Sequence, residues 1–209
     1  MKTIEKANDA GIPVITVNRS VAGGRVLRSY SDDKEAGRMQ GEYMAAHLPP
    51  NAKIVYLQGD GTQSSAVGRW EGFKEACLDK RSDIQLLSFV DAGWSKAEAL
   101  KTMSLWMSMF PEINGVVAGN DEMALGAVAA LKGANRLEGC LVTGVDATPS
   151  GLAAVAAGEM VQTIKQDAKG QGEGALALAE GFLKGAPPSG DMAVPFTSIT
   201  RDNAAQAAN

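Results

Sequence analysis

The chain alternates short apolar runs with longer segments in which apolar residues recur every third or fourth position. A short apolar run bounded by turn residues is typical of a buried strand, and the longer spacing is typical of a helix with one buried face. Strands that alternate with helices of about 10–15 residues predict a parallel, doubly wound sheet with right-handed crossovers. The runs that we predict as strands are 12–17, 25–31, 54–57, 84–90, 116–118, 141–146 and 161–165.

Two polar junctions interrupt this alternation. Residues 31–33 (SDD) and 166–169 (QDAK) stand about where a compact unit of strand and helix repeats would begin and close. We therefore expect an α/β fold with two such sheets, in two Rossmann-like lobes.

A capping box at residues 95–98 (SKAE) predicts the start of one of the helices. Helical spacing then places Leu100, Met103, Met107 and Phe110 on its buried face, and Pro111 ends it.

The most informative stretch is 116–127, in which an apolar run stops at Asn120 and Asp121 and helical periodicity takes over. Ligands of parallel α/β sheets bind just beyond the carboxyl ends of the strands, so both residues stand where a site would be built. Asp121 is a good N-cap residue, and we assign it the structural role of capping the helix. Asn120 then has no capping duty, and we predict that it contacts a ligand.

Five of the predicted strands end in polar or aromatic residues, and these ends should meet at one edge. Carboxylates and amides offer paired hydrogen-bonding atoms, arginine offers a planar fork, and an indole offers a flat apolar face. This set suits the hydroxyl groups and C–H faces of a polyol ring. The predicted ligand-binding residues are Asn18, Arg19, Trp94, Asn120, Asp146 and Gln166.

Composition restricts the partners. The 209 residues are 45% hydrophobic and carry a net charge of -4 with both signs interspersed, so neither nucleic acid nor a membrane surface is indicated. No apolar stretch approaches the roughly 20 residues that span a bilayer, and residues 1–6 lack the apolar core of a signal peptide. As written, the chain is expected to stay in the cytoplasm.

Signatures of catalysis are weak. The single histidine, His47, precedes two prolines at a helix end, and Cys77 and Cys140 have neither metal nor redox spacing. Residues 170–175 (GQGEGA) superficially match a dinucleotide fingerprint but do not directly follow a strand. Asp121 and Asp146 could do acid–base work in a carbohydrate-modifying enzyme, yet no activated nucleophile accompanies them. We therefore predict no catalytic residue, no cofactor, no metal and no enzymatic activity.

Several motifs closely resemble the ribose-type periplasmic sugar-binding proteins of bacterial ABC importers. They are 11–14 (GIPV), 69–73 (RWEGF), 119–127 (GNDEMALGA) and 143–149 (TGVDATP), and the likeness runs in order from about residue 7 to 185. In that family two Rossmann-like lobes, joined by a three-stranded hinge, close on one sugar. The resemblance implies that Asn18 and Arg19 contribute from the first lobe, that Trp94 stacks on the ligand, and that Asn120, Asp146 and Gln166 bind ring hydroxyls.

Two departures from the family pattern concern the ligand. Asn18 stands where the family usually has aspartate, and Val67 stands where ribose binders carry a sugar-contacting arginine, although Arg69 matches a second arginine nearby. The ligand is accordingly left open between a pentose, a hexose and a cyclitol such as inositol.

The resemblance also implies that the opening units of the first lobe are missing. It divides the chain into a remnant of the N-terminal lobe (1–31), the C-terminal lobe (32–166), a return segment to the first lobe (167–191) and a hinge with a C-terminal tail (192–209). Such a truncated form is expected to bind weakly or not at all.

The function that follows is the solute-binding component of an ABC-type sugar importer, which binds a monosaccharide or cyclitol by hinge closure. The implied partners are an ABC permease in the membrane and a chemoreceptor, and the implied location of the full-length protein is the periplasm. The alternative is the ligand-sensing domain of a LacI-type transcriptional regulator, which shares the fold.

Overall fold

The computed structural model describes residues 2–207 and confirms the α/β class, and each of the predicted runs overlaps a strand. Two short strands follow the last predicted run. The strands are β1 (Ile15–Val17), β2 (Leu27–Tyr30), β3 (Lys53–Gln58), β4 (Gln85–Asp91), β5 (Gly115–Ala118), β6 (Leu141–Asp146), β7 (Gln162–Lys165), β8 (Met192–Ala193) and β9 (Thr197–Thr200).

Helices connect most of these strands, and α3 runs on into a π-helical turn at Lys74–Leu78. Within residues 2–207, no helix is both long and apolar enough to cross a bilayer. The helices are α1 (Lys2–Asp9), α2 (Asp33–His47), α3 (Ser64–Phe73), α4 (Lys96–Met109), α5 (Asp121–Gly133), α6 (Pro149–Ala157), α7 (Ala168–Leu183) and α8 (Ala204–Ala207).

The chain divides into two compact units. Unit 1 combines the residues up to Asp32 with Asp167–Phe196, and unit 2 combines Asp33–Gln166 with the residues from Thr197 on. The chain therefore passes from one unit to the other after Asp32, after Gln166 and after Phe196.

Unit 1 contains a sheet of three parallel strands in the order β1-β2-β8. Helix α7 packs on β1 and β2, where the Ser29 hydroxyl donates to the carbonyl oxygen of Gln171 at 2.7 Å. Three strands are few for a doubly wound lobe, since the mean sheet has about five to six strands. Unit 1 is thus an incomplete lobe.

Unit 2 contains a six-stranded sheet in the order β4-β3-β5-β6-β7-β9. The first five strands are parallel, and β9 pairs antiparallel with β7. Because helices cover both faces, alternate residues of β3 enter two separate cores: Ile54 and Tyr56 one, Val55 and Leu57 the other. This burial on both sides explains why β3 reads as an uninterrupted apolar run.

The predicted buried face of α4 is wrong by about one residue at its start. Ala99, Met103 and Trp106 are buried, whereas Leu100 is 41% exposed. Helix α4 crosses α5 closely at Gly126, where a Cβ would lie 2.3 Å from the carbonyl oxygen of Lys96 and 3.0 Å from the Cβ of Ala99. This close crossing turns the small Ala99, rather than Leu100, toward the partner helix.

Candidate functional site

The carboxyl ends of the parallel strands of unit 2 carry the side chains that the sequence predicts for ligand binding. Trp94 follows β4, Asn120 follows β5, Asp146 ends β6 and Gln166 follows β7. Their strands are neighbours or near neighbours in one parallel sheet, so their carboxyl ends share one edge. We call these four residues, together with Arg69 of α3, the polar rim.

Arg69 connects the members of the polar rim. Its side chain is only 4% exposed, and its Nη1 donates to the carbonyl oxygen of Gly119 at 2.6 Å. Its Nη2 donates to Oε1 of Gln166 at 3.0 Å, and Nη1 lies 3.9 Å from Oδ1 of Asp146. The guanidinium carbon lies 5.6 Å from the centre of the Trp94 ring. One buried cation thus touches or approaches the ends of β4, β5, β6 and β7.

Asn120, not Asp121, caps α5, so the predicted division of roles between them is wrong. The Asn120 side chain accepts a hydrogen bond from the backbone N–H of Met123 at 2.9 Å, and its backbone is extended. Its Nδ2 donates to the carbonyl oxygen of Trp94 at 3.4 Å. Capping uses the oxygen of the amide and leaves Nδ2 as a donor at the rim, and the contact of Asn120 with a ligand stays a prediction.

Asp121 is the first helical residue and is fully buried, with its carboxylate turned toward the next two strand ends. One oxygen accepts from the backbone N–H and the hydroxyl of Thr148, at 2.8 and 3.1 Å, and the other accepts from the Thr163 hydroxyl at 2.6 Å. Burial raises the pKa of the Asp121 carboxyl, and these hydrogen bonds lower it. Asp121 therefore braces the loop that follows β6, and its carboxylate is buried.

That loop holds Asp146 in an uncommon backbone conformation. Asp146 has a φ of 116° and Ala147 a φ of 54°, both in the region that residues other than glycine rarely adopt. The Asp146 side chain is 34% exposed. Burial raises the pKa of the Asp146 carboxyl to about 6, although nearby Arg69 lowers it. The strain and the raised pKa are both typical of functional sites.

Trp94 also has a positive φ, of 62°, and its indole ring fills the space beside two glycines. A Cβ on Gly59 would lie 2.2 Å from the ring carbons Cε2 and Cζ2, and a Cβ on Gly119 would lie 3.3 Å from Cζ3. The ring nitrogen Nε1 is buried and has no hydrogen-bond partner among the described residues. The two glycines thus fix the place of the ring against the strand ends.

Substitution of Gly59 by alanine should displace the Trp94 ring, because the new methyl group and the ring cannot occupy the same volume. We expect a shift in tryptophan emission relative to the native chain. In a Trp94→Phe background, which leaves only Trp70 and Trp106, the same substitution should leave the emission unchanged. If Gly59→Ala left the emission unaltered in the chain that retains Trp94, this packing of the ring against Gly59 would be contradicted.

In unit 1, Asn18 and Arg19 directly follow β1. Asn18 has a φ of 51°, and its Oδ1 accepts a hydrogen bond from Nε2 of Gln171 at 3.2 Å. Nε2 of Gln171 also donates to the Ser31 hydroxyl at 2.8 Å. Arg19 is exposed. Both residues lie at a strand end as predicted, and their role in binding stays a prediction.

Residues 1–187 match the family described as periplasmic binding protein domain. The chain belongs to that family. The resemblance that the sequence motifs indicate is thereby confirmed.

Two curated proteins that are similar in sequence to this periplasmic binding protein are longer than it. A putative rhizopine-binding protein of Rhizobium meliloti is 32% identical over 207 residues, which are 96% of this chain and 67% of the relative. A xylitol-binding protein of Mycolicibacterium smegmatis is 35% identical over 202 residues, which are 96% of this chain and 57% of the relative. The chain thus spans between about half and two thirds of these proteins.

Solved structures show the same fold. An ABC transporter solute-binding protein from Bacillus halodurans, with bound myo-inositol, is 32% identical with a TM-score of 0.92, and the match covers 99% of this chain and 72% of that one. The fructose-binding periplasmic domain of a hybrid two-component system is 31% identical with a TM-score of 0.90, covering 99% of this chain and 69% of that domain.

Arg69 is the one residue of the polar rim that was not among the predicted ligand-binding residues of this periplasmic binding protein, because those were chosen at the ends of strands. It lies within a helix rather than at a strand end, and its Nε donates to Oδ1 of Asp33 at 2.9 Å at the start of α2. The signal in the sequence was the motif 69–73, which identified the family without giving Arg69 a role. Among residues 2–207, no group of three or more histidine, cysteine, aspartate or glutamate side chains could hold a metal ion.

Proposed function

We propose that this chain binds a polyol, either a monosaccharide or a cyclitol, as part of the solute-binding component of an ABC-type sugar importer. The observation that carries the proposal is the polar rim. It offers an amide donor at Asn120, a carboxylate acceptor at Asp146 and an amide at Gln166 along one sheet edge, beside the indole of Trp94. Adjacent ring hydroxyls need such alternating donors and acceptors, and a ring needs an apolar contact for its C–H face.

The relatives support the same class of ligand. Their names or bound molecules include rhizopine, xylitol, myo-inositol and fructose, of which xylitol and myo-inositol are neutral polyols. These relatives are binding proteins, which supports recognition without turnover. They also favour the importer over the LacI-type regulator as the function of this chain.

Three parts of the proposal rest on the family alone. They are closure of two lobes about a hinge with Asn18 and Arg19 as first-lobe contacts, recognition by an ABC permease or a chemoreceptor, and a periplasmic location. We expect them of the full-length protein.

The proposal is tested by NMR titration of the chain with myo-inositol, xylitol, ribose and fructose. We expect saturable shifts at the backbone amides of residues 93–94, 120 and 146–147 with one of these ligands. Shifts spread evenly over the unit 2 surface, or none with any of the four at high concentration, would contradict the proposal.

Asn120→Asp is the sharpest variant for this test. Aspartate keeps the oxygen that caps α5 but replaces the Nδ2 donor, which also donates to the carbonyl oxygen of Trp94, by an acceptor, so stability should fall by about 1 kcal/mol. A lost hydrogen bond to the ligand should weaken binding about tenfold. Asn135→Asp, at an exposed position beyond the other end of α5, makes the same chemical change outside the rim and serves as the matched control. Equal affinity of Asn120→Asp and the control would remove Asn120 from the site.

A further inference from the structure

The guanidinium of Arg69 is buried and donates to three groups of unit 2. Its Nε is bonded to Asp33, Nη1 to the carbonyl oxygen of Gly119, and Nη2 to the amide oxygen of Gln166. Arginine has donors only and holds them in a rigid plane, so this arrangement fixes several acceptors relative to one another. The polar rim therefore has an internal frame before any ligand arrives.

We propose that Arg69 is a positioning residue of the candidate sugar site, which orients the amide of Gln166 and keeps the side chain of Asp146 a carboxylate. This inference rests on the proposed function and deepens it. It assigns the donor and acceptor pattern of the site to a residue whose three guanidinium nitrogens each donate to a protein oxygen. It also makes ligand binding dependent on pH.

The orientation of Gln166 follows from hydrogen-bond chemistry. An amide has one oxygen and one nitrogen end, and only the oxygen can accept from a guanidinium. Because Nη2 of Arg69 donates to Oε1 of Gln166 at 3.0 Å, the guanidinium fixes which end of the amide is the oxygen. Arg69 thus sets the orientation of the Gln166 amide beside the carboxylate of Asp146.

The charge on Asp146 follows from its neighbours. Arg69 lies 3.9 Å away on α3 and lowers the pKa of the carboxyl, whereas Asp121 and Glu122 of α5 and Asp33 of α2 raise it. Lys165 of β7 lies beside Asp146 in the strand register. Burial raises the pKa most and brings it to about 6, and the nearby guanidinium helps to keep Asp146 ionised at neutral pH. Loss of Arg69 should therefore leave about half or more of the Asp146 carboxyl protonated at pH 7.

A test without ligand is the NMR titration of the Asp146 carboxyl carbon in the native chain and in Arg69 variants. We expect a pKa near 6 in the native chain. In Arg69→Met the pKa should be about 1 higher or more, because the nearby positive charge is gone. In Arg69→Lys the pKa should stay closer to the native one, while the side-chain amide signals of Gln166 shift, since lysine keeps the charge but not the planar fork. The same pKa in Arg69→Met as in the native chain would overturn the inference.

Asp33→Asn keeps the inference testable if Arg69→Met does not fold. Asp33 is a carboxylate whose charge raises the pKa of Asp146, and an isosteric amide at the start of α2 removes that charge while filling the same space. The pKa of Asp146 should therefore fall. An unchanged or raised pKa in Asp33→Asn would contradict the account of the Asp146 charge on which the inference depends.

Binding of myo-inositol gives the functional readout. If the carboxylate is the form that binds, protonation of Asp146 should weaken binding about tenfold between pH 7 and pH 5, as follows for a group with a pKa near 6. Asp146→Asn should make affinity independent of pH in this range, and Arg69→Met should move the midpoint of the profile to higher pH. A native affinity that is equal at pH 5 and pH 7 would overturn the pH dependence. Absence of binding with myo-inositol, xylitol, ribose and fructose alike, together with the expected carboxyl titrations, would contradict the proposed function and leave the role of Arg69 supported.

Discussion

Gly72→Ala should lower the free energy of unfolding of unit 2 by about 3 kcal/mol, a large cost for one added methyl group. Gly72 lies in α3 where the helix crosses α2, and a Cβ there would lie 1.9 Å from the carbonyl oxygen of Lys34 and 2.8 Å from the backbone nitrogen of Arg38. Backbone atoms cannot rotate away as a flexible side chain can, so the two helices must separate. Urea denaturation followed by circular dichroism measures the loss.

Gly133→Ala is the matched control for Gly72→Ala. Gly133 is the last residue of α5, and a Cβ there would meet no atom within 4 Å. Alanine favours a helix by up to about 1 kcal/mol over glycine, so this variant should be as stable as the native chain or slightly more stable. If the two variants were destabilised equally, the cost would come from glycine replacement in general and not from the helix crossing.

The crossing of α2 and α3 matters for the site because it places Arg69. A Cβ on Gly37 of α2 would lie 1.9 Å from the carbonyl oxygen of Arg69, so contact at this distance is possible only with glycine. The same approach brings Asp33, in the first turn of α2, to the guanidinium. We therefore expect Gly72→Ala to disturb the polar rim as well as the core.

Apolar periodicity predicted the strands of unit 2 well, since burial on both faces leaves a continuous apolar run such as 54–57. The same reasoning cannot give the distance between two helices. Gly37, Gly41 and Gly72 set that distance for α2 and α3, and they look in the sequence like ordinary small residues. The short β9 was not predicted as a strand, and its antiparallel pairing with β7 depends on a segment far along the chain.

The candidate site was predictable as far as parallel strands force their ends to one edge, which brought Trp94, Asn120, Asp146 and Gln166 into the prediction. The roles of Asn120 and Asp121 were exchanged because both residue types cap helices, and a helix start is uncertain by one or two residues in sequence. Arg69 was not predicted as a site residue, because its guanidinium reaches the rim from within a helix. Only side-chain coordinates reveal such a connection.

Asp121→Ala should be the most damaging substitution near the site, with an expected loss of about 3 kcal/mol or more in the free energy of unfolding. The change removes the acceptor of three hydrogen bonds, from the N–H and hydroxyl of Thr148 and from the hydroxyl of Thr163. The Thr163 hydroxyl in turn accepts from the N–H of Ala147 at 3.1 Å, so both anchors of the strained loop after Asp146 depend on one buried carboxylate. Thermal and urea denaturation measure the stability, and the amide shifts of residues 146–148 report the loop.

Asp121→Asn separates the hydrogen bonds from the charge. The amide oxygen can still accept from Thr148, and the amide nitrogen can donate to the hydroxyl oxygen of Thr163, so the loss should be about 1 kcal/mol. Burial raises the pKa of Asp121 above that of an unfolded aspartate, so the folded state holds its proton more tightly. This carboxyl therefore makes the native chain less stable as the pH rises from the unfolded pKa, about 4, through the raised folded value. The asparagine variant should lack that part of the pH dependence. If alanine and asparagine at position 121 were equally destabilising, the hydrogen bonds to the loop would not be what makes Asp121 important.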